Sequence, residues 1–137
     1  MTSPKKTDES ENWAEKIADS FGGSTDFVKK TFSFKDGGIV LVDWDIGKKD
    51  TDKKREVAKV VIYANEMGLN QEEVPIAHIK TSLEKLGISF DPKSIARRLK
   101  TDTGILTKNT GYWMINLQGK KDAEKHLSSR QDSLGYN

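Results

Sequence analysis

A chain of 137 residues holds one compact domain, or one domain with a small appendage, and excludes barrels and doubly wound nucleotide-binding enzymes. Hydrophobic residues make up 34% of it, which suffices for a lean core, and 23 basic against 21 acidic residues leave +2, so any charge signal is local. The lack of cysteine excludes disulfides, thiolate zinc sites and cysteine nucleophiles, and the lack of an apolar leader or a ~20-residue apolar run predicts a soluble intracellular protein, cytoplasmic, nucleoid or nuclear, with no membrane partner.

Residues 1–10 are polar and read as a disordered tail, as do residues 128–137. Residues 11–46 form an N-terminal extension. In it Trp13, Ile17 and Phe21 recur at helical spacing and Gly22-Gly23 stops the helix. From Thr31 the period changes to two. Asp36-Gly37 suits the centre of a type I′ turn, which sets Phe34 opposite Ile39 and Phe32 opposite Leu41 in a hairpin. Its second strand, Ile39 to Trp44, is apolar on both faces and therefore requires cover on both sides. Trp13, Phe21, Val40, Val42 and Trp44 are the expected surface of a homodimer. Gly47 to Lys54 reads as a solvated linker that merges into a helix.

Residues 52–127 have a different grammar. Val57, Val60, Val61, Ala64 and Met67 lie on one face of a helix from about Asp52 to Met67, ended by Gly68. Glu73-Val74-Pro75 is short and extended. Ile76, Ile79, Leu83 and Leu86 line a second helix stopped by Gly87, and Asp91-Pro92 caps and opens a third with Ile95 and Leu99 inward. Strands at 105–107 and 112–117 follow, with Trp113, Ile115 and Leu117 on the core side, and a last helix covers about 119–127.

Helix, short strand, helix, turn, helix, hairpin is an order that resembles the winged helix-turn-helix superfamily. The likeness rests on Leu83-Glu-Lys-Leu-Gly87, on Ser94-Ile-Ala-Arg-Arg-Leu99, on the hairpin Ile105 to Leu117 and on its exit into the last helix. The turn from Gly87 to Pro92 is longer than the 3–4 residues usual in this motif. The fold class that follows is α+β, a winged helix preceded by a short helix and a hairpin. The resemblance implies that the third helix enters the major groove of double-stranded DNA and that the wing touches backbone or minor groove.

The residues carry an independent signal. With Ile95 and Leu99 inward, Lys93, Ser94, Arg97, Lys100 and Thr101 point outward and Arg98 lies on the flank. Between Pro92 and Lys121 seven basic residues face Asp102 alone, a local +6 that leaves −4 for the rest of the chain. Such asymmetry suits phosphate binding. Arg97 and Lys93 are candidates for base edges, with Ser94, Lys100 and Thr101 on bases or phosphates. Arg98, Lys108, Asn109, Lys120 and Lys121 are candidates for the backbone. The expected function is a small DNA-binding protein, a transcriptional regulator or an accessory factor in DNA transactions. The alternative is a winged-helix protein-interaction module, and RNA binding is a third option in which Tyr112 offers a ring.

No enzyme, metal or cofactor is expected. Asp43 and Asp45, with Asp50 and Asp52 downstream, sit where metal-dependent phosphotransferases keep carboxylates, but no phosphate loop or second carboxylate strand accompanies them. His78 and His126 lack a ligand companion at i+3 or i+4 and read as helix-surface residues.

Overall fold

The computed structural model describes residues 12–45 and 50–136, a mixed α+β arrangement of six helices and two small antiparallel sheets among those residues. The tail expected at 1–10 and linker residues 46–49 lie outside the described residues, as do the side chains of Asp50 and Asp52.

Helix α1, Trp13–Phe21, buries Ala14, Ile17 and Ala18 and ends at Gly22, whose φ of 68° is the left-handed conformation glycine adopts freely. Helix α2, Thr25–Thr31, has no counterpart among the elements expected from the sequence. Ser24 caps this helix by accepting from the Phe27 N–H, and Phe27, Val28 and Thr31 are buried. Strands β1 (Phe32–Lys35) and β2 (Gly38–Leu41) pair in the expected register, Phe32 with Leu41 and Phe34 with Ile39. Asp36 and Gly37 both have positive φ, as a type I′ turn requires. All four β2 residues are buried, between helix α3 and helix α4 described next.

Helix α3, Asp50–Leu69, is the centre of the molecule, and every residue from Val57 to Ala64 is buried. It does not stop at Gly68, which lies inside it. A Cβ there would come within 2.9 Å of Ile39 Cδ1 and 3.1 Å of Ile17 Cγ1, so the missing side chain serves close packing of α3 on α1 and β2. Asn70, at φ 59°, follows the helix end instead.

Strand β3 (Val74–Pro75) leads into α4 (Ile76–Lys85), then α5 (Pro92–Lys100), β4 (Ile105–Leu106) and β5 (Tyr112–Ile115). The second sheet has the order β3-β5-β4, with Val74 opposite Trp113 and Ile105 opposite Ile115. Trp113 and Ile115 face the core as expected.

Leu117 does not. It is 69% exposed, because Asn116 caps a helix by accepting from the Gly119 N–H and ends the strand alternation there. That helix, α6, runs Leu117–Ser133, through much of the expected C-terminal tail. Gln131 is buried with its side-chain oxygen accepting from the Ser24 N–H at 2.8 Å, and Tyr136 packs on Phe27.

One core runs from Ala14 to Leu127 through both sheets, so the hairpin and the C-terminal elements share it. This corrects the basis of the homodimer surface. Val40 and Trp44 are buried within the chain itself, Trp13, Phe21 and Val42 are half-buried, and the Trp44 indole N–H donates to Glu56 at 2.6 Å. No described helix is long and apolar enough to cross a membrane.

Candidate nucleic-acid interface

Helix α5 is built by its first two residues. The Asp91 carboxylate accepts from the Ser94 N–H at 3.2 Å, and Pro92 supplies a preset φ where no N–H is needed. Ile95 and Leu99 are each 1% exposed, and that anchoring turns Lys93, Arg97 and Lys100 outward, where all three are exposed. No ion pair among the described residues engages them. Ser94 is half-buried on the same side. Thr101 is exposed at the C-terminal cap, and its hydroxyl donates to the Arg98 carbonyl at 2.7 Å while Arg55 approaches it at 3.5 Å. Arg98 is half-buried, with Nε enclosed.

The turn between β4 and β5 is held shut by Thr107, whose hydroxyl lies 2.7 Å from the Tyr112 carbonyl and 3.0 Å from that of Asn109. Gly111 at φ 86° completes it. Lys108 is exposed at the tip. Asn109 is tied down, its amide donating to Glu73 at 2.7 Å. A groove of about 390 Å³ separates α5 from this turn. Its lining includes Lys100 from one wall, Lys108 from the other, and the apolar side chains of Ile76, Pro92, Ala96 and Trp113.

The two lysines of α6 differ. Lys120 is bonded to Glu66 at 2.9 Å and half-buried, so its charge is matched within the fold, whereas Lys121 is exposed. Asp102, the single acid of the basic stretch, is occupied by Lys59, whose ammonium sits 2.9 Å from Asp102 and 3.0 Å from Asp122. Burial alone would lower the Lys59 pKa, but the two carboxylates outweigh it and hold the group above its ordinary value. Nothing in the spacing of Lys59, Asp102 and Asp122 announces this cluster, because only the packing of α3 against both the segment after α5 and the start of α6 brings them together.

Both histidines depart from the surface role expected of them. His78 is half-buried with its ring against Gly38, leaving no room for a Cβ there, and burial lowers its pKa despite nearby Asp36. His126 is half-buried with Nδ1 3.7 Å from Glu56. Burial lowers its pKa too, against the opposing pull of Glu56. Asp43 lies 3.5 Å from Arg130, and no group of three His, Asp or Glu side chains able to hold a metal occurs among the described residues.

Comparison with protein-family models, curated proteins and solved structures finds no match to this chain.

Proposed function

We propose that the chain is a duplex-DNA-binding protein of winged helix-turn-helix type, a transcriptional regulator or an accessory factor in DNA transactions rather than an enzyme. The observation that carries this reading is the outer face of α5. Lys93, Arg97 and Lys100 stand exposed on a rigid, capped helix, beside a hairpin that presents Lys108 across a shared groove. The element order α3-β3-α4-α5-β4-β5 and the sheet order β3-β5-β4 support the winged-helix description.

In this reading α5 lies in the major groove. Arg97, whose planar fork matches O6 and N7 of guanine, and Lys93 meet base edges. Ser94, Lys100 and Thr101 meet bases or phosphates, and Lys108 and Lys121 meet the backbone. Asn109 and Lys120 are bonded to Glu73 and Glu66 within the fold and leave the contact set, while Arg98, half-buried with Nε enclosed, meets the backbone from the flank of α5. The test is fluorescence anisotropy of a labelled duplex at two salt concentrations, with an Arg97→Ala/Lys100→Ala variant in parallel. Binding that weakens steeply with salt and drops in the variant is the expected result. Binding indifferent to the variant, or none at low salt, overturns the assignment.

A second reading, a protein-interaction module, is favoured by a separate observation. The groove lining is largely apolar, and Leu106 and Tyr112 on the wing are 43% and 44% exposed. It takes first place if no duplex binds.

A further inference from the structure

The groove between α5 and the wing contains more than a phosphate backbone can use. Ile76 of α4, Pro92 and Ala96 of α5 and Trp113 of β5 give it an apolar lining contributed by three different elements, and a phosphodiester has nothing to place against them. Trp113 is held by the β3-β5 pairing and is 5% exposed, and Ala96 is placed by the core anchors Ile95 and Leu99. The lining is therefore fixed before anything binds. Two ammonium groups, Lys100 from the helix and Lys108 from the turn, complete the site together with Thr107, Thr110 and Gly111 of the turn, and no acidic side chain among the described residues lines it. At about 390 Å³ the groove falls within the size range of small-molecule sites, in which an apolar lining provides affinity and a few polar groups fix orientation.

We infer that this groove binds a small amphipathic carboxylate, one with a single ring or short branched hydrocarbon body. The body rests on Ala96, Ile76 and Trp113 and the carboxylate bridges toward Lys100 and Lys108. Charge complementarity selects an anion, and the apolar lining selects against inorganic anions, which have no hydrocarbon body to rest on it. The regulatory consequence rests on the DNA reading: a carboxylate held by Lys100 and Lys108 withdraws two of that interface's cations, so ligand and duplex exclude one another.

The test follows the Trp113 indole N–H resonance in ¹H-¹⁵N spectra of the intact chain during titration with 3-phenylpropanoate, its neutral amide, and inorganic phosphate. The expected result is saturable shifts at Trp113 with the acid, at least tenfold weaker binding of the amide, and none by phosphate. Lys100→Met and Lys108→Met, both changes at exposed positions, should each weaken the acid about tenfold while leaving the remaining spectrum intact. Equal binding of acid and amide, shifts produced equally by phosphate, or no shift at Trp113 overturns the inference. The readout needs no DNA, so a chain that binds the acid and no duplex refutes the DNA reading and keeps the site. A chain that binds duplex and no acid does the reverse.

Discussion

The side-chain amide of Asn65 holds both backbone groups of Ile39, accepting from its N–H and donating to its carbonyl, each at 2.9 Å. The buried strand β2 thus finds on helix α3 the partner that a neighbouring strand would supply, and the same amide also donates to the Val61 carbonyl at 2.8 Å. Ser82 of α4 completes the edge, accepting from the Leu41 N–H at 2.9 Å and donating to the His78 carbonyl at 2.8 Å. Asn65→Ala leaves a buried donor and acceptor unpaired in the middle of the core. It is expected to destabilise the protein by about 3 kcal/mol, read from urea unfolding midpoints.

Gly119 separates helix propensity from packing. Propensity alone makes alanine the better helix residue by up to about 1 kcal/mol. In this fold a Cβ at Gly119 would collide with the Gly104 carbonyl oxygen, and one at Gly104 would lie 2.8 Å from the Gly119 Cα. Neither obstacle is a movable side chain. Gly119→Ala should therefore destabilise, by about 2 kcal/mol, in thermal or urea unfolding. A stabilised variant would show that α6 can shift away from β4.

Burial holds His78 and His126 below the ordinary histidine pKa of 6.5. As pH falls through that value the unfolded chain takes up protons that the folded chain resists, so the native state loses stability. The protein should be most stable above about pH 6.5 and weaken toward the lower folded-state values. His126→Gln and His78→Gln should each flatten the decline between pH 7 and 5.5, measured by urea melts at both. The Asp122 carboxyl, held below its ordinary 3.8 by Lys59 and Gln118 despite burial, adds its own loss only in stronger acid.

Adjacent lysines on α6 should behave differently. Lys121→Ala is expected to reduce the magnitude of the log-affinity against log-salt slope for duplex by about one, as for one released counterion. Lys120→Ala should leave that slope nearly unchanged and lower stability slightly, because its partner is Glu66. Equal slope changes in the two variants would mean that the Lys120 ion pair opens on binding.

What the sequence made legible was local. Asp36-Gly37 set the hairpin register, and Asp91-Pro92 with Ile95 and Leu99 set the boundaries and orientation of α5, since turn and cap chemistry act over a few residues. Long-range packing was not legible. Gly68 read as a helix stop because close approach of Ile17 and Ile39 leaves no mark in its neighbours. Leu117 read as core because the strand alternation continued on paper through a capping residue, Asn116, that ends it. The polar C-terminus read as a tail because its anchors, Gln131 and Tyr136, are bound to the distant Ser24 and Phe27. For the candidate site, the outward face of α5 was legible from helical rotation. The internal bonding of Lys120 and Asn109, and the groove, depended on which elements meet.

Lys59 gives the wing a further property. The chain from Asp102 to Asp122, which contains the whole β4-β5 hairpin, leaves the central helix and returns to it at one nitrogen atom. Its neck is therefore closed by a shared cation, with the Asn109 to Glu73 bond as a tether near the tip. Both feet of the hairpin are pinned to α3 at the same point. A push on Lys108 is thus carried to α3 through that shared ammonium and to β3 through the Val74–Trp113 pairing, so the wing stands beside α5 as a braced arm.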